Sequence, residues 1–310
     1  MENQERNVKV MLNKMRLLHQ ENGKWGTAAL YHSVISAIDG FMGCRDIYFD
    51  DITPSWLKSF ENYLLSTGKS WNTVSTYMRI LRASYNQAVI LNITPFKPYI
   101  FNKVYLGVVA DRGNALEASE MGELVKMSMS KSSILTPKQL ISLKYFVLMF
   151  MLKGLPYVDI AYLKKRELKD DIISYRRRKT GRHLITKLDE PAMKLMQDLI
   201  SQDNTSPYLF PILHHPDGSE EAYKEYQASL KQLNSHLQTI GKRLDLSHKL
   251  SSYTARHTWA TMAFLCNVNP AVISQSMGHS SIKVTETYLK PFQQEIINEA
   301  NRQVMNYVMK

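Results

Sequence analysis

Three stretches of this chain carry side chains able to act on an anion: Lys179-Thr180-Gly181, SSYTARHTWATMA at 251–263, and SMGHSSIKVTETYLKP at 276–291. Arg256 stands near the predicted start of an apolar helix containing Trp259, Met262, Ala263 and Leu265. A helix N-terminus beside a guanidinium is an anion site, because arginine can grip two phosphate oxygens at once. Gly278 can end the helix that begins near Pro270, and Ser280 or Ser281 can cap the next one. The pattern Gly-His-Ser-Ser-(six residues)-Tyr therefore sets the His279 imidazole and the Tyr288 phenol on either side of a tight turn, with Arg256 lying 32 residues before the phenol. Taken singly, each residue has an ordinary explanation: a solvated turn lysine, a surface Arg-His pair, a core tyrosine. Their order and spacing favour a shared site. A phenol with an ordinary pKa of about 10 is a poor nucleophile at neutral pH and needs cationic neighbours. Phosphoryl transfer needs such preorganised positive charge, and Arg, Lys and His supply it here. No Asp/Glu cluster or His/Cys spacing suggests a metal, so the expectation is that these cations do a metal's work. Without a Gly-rich phosphate loop, no nucleotide cofactor is expected.

The elements that must hold these groups read mainly as helices with a small β-hairpin, an α+β class. Thr53-Pro54 predicts an N-cap with proline at the first helical position, and Trp56, Phe60, Tyr63 and Leu64 then share a face. A second helix begins near Ser70 with an inward stripe of Val74, Tyr77, Met78, Leu81, Tyr85 and Ala88. Its other face carries Lys69, Asn72, Ser75, Arg79 and Arg82, which is either plain solvated surface or a phosphate-facing surface. The turn-rich DRGN at 111–114 marks a linker, giving a helical domain over 1–108, a linker over 109–118 and a second domain over 119–310. Pro137 opens a helix that becomes strongly apolar at Leu143, Phe146, Val147, Phe150 and Met151. In DDIISYRRRKTGRHLITKL, 170–188, two β-prone runs flank a turn at Gly181. Arg176, Arg177 and Arg178 alternate sides there, so they cannot all face one partner. The last twenty residues predict a terminal helix offering Phe292, Ile296, Val304 and Val308 for docking.

Composition sets the frame. The 310 residues are 44% hydrophobic, enough to bury a core, and carry a formal charge of +11. Residues 1–110 hold 12 basic against 8 acidic residues and the remainder 27 against 20, so both halves suit one long polyanion. Cys44 and Cys266 are the only cysteines, which fits a reducing compartment and no disulfide scaffold. The polar N-terminus is no secretory signal, and the longest apolar run, at 145–152, is too short for a bilayer. A cytoplasmic protein without a membrane partner is expected.

Ala-Arg-His-Thr-Trp-Ala-Thr, then Met-Gly-His-Ser-Ser, then Thr-Glu-Thr-Tyr resembles the signature of the tyrosine recombinases, or phage-type integrases, across nearly the whole chain. The resemblance implies a SAM-like core-binding domain followed by a catalytic domain. It implies that Tyr288 attacks the scissile phosphate of double-stranded DNA and releases a 5′-hydroxyl. Arg256 and His279 would bind the non-bridging oxygens, and Lys179 would protonate the leaving oxygen. Lys69, Arg79, Arg82, Arg176, Arg178 and His257 are the residues expected to contact DNA, and a homo-tetramer on two duplexes is the expected assembly. No cofactor or metal is implied.

Two departures stand out. Tyr253 replaces the imidazole of His-x-x-Arg, as in a bacterial branch reading Tyr-x-Ala-Arg-His. In LKGLPYVDIAYL, 152–163, Pro156 occupies the position of the family's first catalytic arginine, while Asp159 and Leu163 match the family's pattern downstream of it. Lys153 is the nearest cation, though its charge equally suits a helix C-terminus and it lacks arginine's fork. Other readings are a DNA-binding scaffold with an impaired site and a type IB topoisomerase. A penicillin-recognising enzyme, suggested by Lys-Thr-Gly, is excluded by the missing Ser-Asp-Asn. With no evident arm-binding domain ahead of the helices, a simple two-domain recombinase for integration, excision or inversion is expected.

Overall fold

A computed structural model describes residues 2–108, 115–130, 134–286 and 294–309. The chain forms two compact units, Met1–Val109 with His215–Tyr223, and Ala110–His214 with Lys224–Lys310. Among the described residues no helix is long and apolar enough to cross a membrane.

The first unit holds α1 (Glu2–Glu5), α2 (Val8–Glu21), α3 (Trp25–Met42), α4 (Pro54–Ser66) and α5 (Trp71–Ile90). Thr53 caps α4 by accepting the Trp56 N–H, and Ser70 caps α5 by accepting that of Thr73. The six-residue α5 stripe read from the sequence is buried throughout. Ser75 is a correction: assigned to the outer face, it is fully buried. Helices α2, α3 and α4 all pack on α5, so the covered arc is wider than an apolar stripe alone marks and takes in Ser75 and Ser84.

The second unit is built on α6 (Ala118–Met129), α7 (Pro137–Met151), α8 (Tyr157–Tyr162), β1 (Leu168–Lys169), β2 (Ile172–Arg176), β3 (His183–Lys187), α9 (Glu190–Gln197), α10 (Glu220–Arg243) from Lys224 onward, α11 (Ser252–Leu265), α12 (Pro270–Ser276), α13 (Ile282–Glu286) and α14 (Gln294–Val308). Helix α7 packs against α6, α9 and α11, which explains its apolar sequence. Phe150 and Met151, at its end, are only half-buried. The sheet is antiparallel in the order β1-β2-β3, with Arg176 opposite His183 and Gly181 in the connecting turn at φ +68°. Leu265, expected on the apolar face of α11, is exposed at the end of that helix. The DRGN turn lies outside the described residues.

Candidate active site

Helix α11 starts at the N-cap Ser251, which forms a capping box with Thr254, and brings Arg256 into the interior with 1% of its surface exposed. Two turns receive its guanidinium. One follows α7, where Lys153 and Gly154 both take positive φ, +59° and +70°. A Cβ on Gly154 would meet Arg256 Cα at 3.0 Å and Cγ at 3.1 Å, so only glycine lets the backbones approach this closely. Arg256 Nη1 donates to the Gly154 carbonyl at 2.6 Å, and Nη2 donates to that of Met277 at 2.7 Å. The second turn, after α12, also carries His279, whose Nε2 lies 2.7 Å from Arg256 Nη2.

That contact fixes the imidazole tautomer. Arginine only donates, so His279 Nε2 accepts, and the ring proton sits on Nδ1 and is given to Thr285 Oγ1 at 2.8 Å. Burial, then the positive fields of Arg256, Arg177, Lys179 and Arg182, push the imidazole pKa from 6.5 down to about 3. A folded-state value below the unfolded one means that the unfolded chain binds the proton first. His279 therefore contributes stability that is fully present above 6.5 and lost as pH falls toward 3. Urea midpoints measured between these pH values should fall more steeply for the native chain than for His279→Asn; parallel profiles would contradict a neutral buried imidazole.

The hairpin joins the same turn. Arg177 is 5% exposed, and its Nη1 donates to the carbonyls of Met277 at 2.9 Å and Gly278 at 2.6 Å. Thr180 Oγ1 donates to the Gly278 carbonyl at 3.2 Å and Arg182 Nη2 to that of Ser280 at 3.0 Å. Gly278 sits at φ +63°, and a Cβ there would come within 3.0 Å of Arg177 Cδ and 2.9 Å of Leu184 Cδ1. Asp159, 2% exposed on α8, accepts the Arg178 backbone N–H at 3.0 Å and lies 3.8 Å from Arg177 Nε. Burial raises its carboxyl pKa, opposed by the Arg178 N–H and the nearby guanidiniums.

The structure thus brings Arg256 and His279 into direct contact and ties the hairpin of Lys179 to the His279 turn, with Lys179 itself exposed at the hairpin tip. Tyr288 lies outside the described residues; Thr285, three positions before it, is buried against His279. Tyr253 is exposed on α11, its ring 5.3 Å from that of His257 one turn on. Lys153 is half-buried just past α7. Pro156 is the N-cap of α8 and offers the site no cation. Arg176 and Arg178 are exposed, Arg178 with its guanidinium 3.7 Å from the centre of the Tyr162 ring. Lys69, Arg79 and Arg82 are exposed in the first unit. Missed from the sequence were Arg177, Thr180, Arg182 and Thr285. Arg177 was legible: it shares the parity of Ile173 and Tyr175, both inward on β2.

Residues 9–104 match the phage integrase SAM-like domain, and residues 114–295 match the phage integrase family. The chain belongs to the phage integrase family. As such it is a site-specific tyrosine recombinase, an enzyme that transfers DNA strands. No curated protein matches the sequence. Among solved structures, the fold is similar to the Tn1549 transposon integrase in complex with transposon right end DNA, at 14% identity and a TM-score of 0.67, covering 96% of this chain and 99% of that one. It is also similar to a complex of that integrase with a circular intermediate DNA, at 16% identity and a TM-score of 0.64, covering 95% and 99%. A lambda integrase tetramer bound to a Holliday junction gives 13% identity and a TM-score of 0.61 over 92% of this chain and 77% of that one.

Proposed function

We propose that this integrase cuts and rejoins recombination sites through a 3′-phosphotyrosyl bond at Tyr288, for integration, excision or inversion of DNA. The supporting observation is the buried Arg256–His279 pair, to whose turn the hairpin of Lys179 is bonded. The scissile phosphate takes the place of the carbonyls on the Arg256 fork, and Arg256 binds its non-bridging oxygens. His279 Nε2, released from Arg256, gains the ring proton by exchange of tautomer and donates to the same oxygens, while the Tyr288 proton passes to solvent as the phenolic oxygen bonds to phosphorus. Lys179 gives a proton to O5′ as the P–O5′ bond breaks. The phosphotyrosine retains the energy of the phosphodiester, so rejoining needs no nucleotide.

Tyr253 marks the Tyr-x-Ala-Arg-His branch and offers a phenolic hydrogen bond to phosphate; Lys153 adds a point charge. Lys69, Arg79, Arg82, Arg176, Arg178 and His257 contact the duplex and fix its register. The active assembly is a homo-tetramer on two duplexes, in the cytoplasm, joined by α14, whose Val304, Met305, Tyr307 and Val308 are exposed.

Suicide duplexes carrying the target site test this reading. The chain should form a covalent adduct on a denaturing gel, in EDTA and without nucleotide. A chain lacking residues 292–310 should bind one duplex but fail to pair two. Specific binding with no adduct on a genuine site would favour a catalytically impaired scaffold; normal synapsis by the truncated chain would remove α14 from the assembly.

A further inference from the structure

The Met277 carbonyl accepts from two guanidiniums, Arg256 Nη2 at 2.7 Å and Arg177 Nη1 at 2.9 Å. The two cationic groups are thus no further apart than two hydrogen-bond lengths, and both side chains are nearly inaccessible to water. Like charges this close in a low-dielectric interior repel strongly. The carboxylate facing them is Asp159, and its ion pair with Arg177 Nε is long, at 3.8 Å. Among the described residues, two guanidiniums meet one carboxylate and a neutral imidazole here, an excess of positive over negative groups in the interior. A buried surplus of this kind is costly unless the site is built to receive an anion.

We propose that Arg177 is the second guanidinium of this site, a positioning residue that supplies from the hairpin, through the Met277–His279 turn, positive charge for the scissile phosphate. The inference rests on the recombinase reading above. A simple strut between hairpin and turn would not need a buried charge, because Thr180 already bonds the Gly278 carbonyl and Arg182 that of Ser280. On the side of α8, among the described residues, no second guanidinium stands beside Arg256: Pro156 is the N-cap, and the nearby cation is the half-buried Lys153, which lacks the fork. The field of Arg177 also lowers the His279 pKa, in keeping with a charge directed at the site.

The test compares adduct formation by the native chain, Arg177→Gln and Arg177→Lys on three suicide duplexes. One has an ordinary scissile phosphate, one a neutral methylphosphonate, and one a 5′-bridging sulfur whose thiolate leaves without a proton from Lys179. On ordinary DNA, Arg177→Gln should be slowed roughly 10²-fold, the scale of losing one preorganised donor. Most of that deficit should disappear on the methylphosphonate, which carries less charge to neutralise, and persist on the bridging-sulfur duplex. Arg177→Lys, which keeps the charge, should stay near the native rate. A deficit removed by the bridging sulfur but not by the methylphosphonate would make Arg177 only a support for Lys179 and overturn the proposal. So would native rates for Arg177→Gln. Should Arg177→Gln fail to fold, a folded Arg177→Lys slowed 10²-fold on ordinary DNA would overturn it as well. If the native chain forms no adduct on any of the three duplexes, the recombinase reading itself fails, and the role of Arg177 fails with it.

Discussion

Tyr288→Phe is expected to abolish covalent attachment to DNA while leaving the fold and specific DNA binding in place. The substitution removes one oxygen and nothing else, so packing is conserved and the electrophile still meets the same cations. A phenyl ring has no nucleophilic atom, so the loss should be complete, unlike the partial losses caused by removal of a transition-state contact. The gel assay reads it directly, with filter binding as the control. Persistent adduct in Tyr288→Phe would assign the nucleophile elsewhere.

The second large effect is expected at Arg256. Arg256→Lys keeps one positive charge but loses the fork that now reaches Gly154, Met277 and His279 together. Adduct formation should fall roughly 10²- to 10³-fold, as when a preorganised donor is withdrawn from a developing oxyanion. DNA affinity should change little, because one phosphate contact among many carries a small share of binding. Arg256→Ala should lose at least as much activity and also stability, by about 1–3 kcal/mol for the Gly154 carbonyl left without this donor, while the Met277 carbonyl keeps that of Arg177. Single-turnover rates beside affinity measurements on the same duplex separate the two effects. A defect confined to affinity would reduce Arg256 to an anchor.

Local chemistry made much of this molecule legible. Thr53-Pro54 announces α4 because capping and proline geometry are local, and the stripe from Val74 to Ala88 announces α5 because its period is helical. The β2–β3 hairpin is legible from two β-prone runs about a turn glycine. What escaped depends on long-range packing. Strand β1 spans two residues, too few to show alternation, and exists by pairing with β2. Ser75 is buried because three helices converge on α5. Arg256 and His279 were recognisable as a pair by spacing, but their bond needs Gly154 beneath one and Thr285 behind the other, residues whose importance comes from proximity alone. Arg177 was obscured by the charge of its neighbours, although the parity of β2 points it inward.

The clasp between hairpin and turn gives the site its character. Arg177, Thr180 and Arg182 all bond backbone carbonyls of residues 277–280, so the segment bearing Lys179 and the turn bearing His279 are held as one body. Geometry of this kind lowers a barrier by fixing donors before the phosphate arrives.

The most direct measurement is proteolysis of the trapped protein–DNA adduct followed by mass spectrometry of the nucleotide-bearing peptide. The account predicts one modified peptide, containing Tyr288, esterified to a 3′-phosphate, with the released strand ending in a 5′-hydroxyl. A nucleotide on any other residue, a 5′-phosphate linkage, or cut strands with no attached peptide would contradict it.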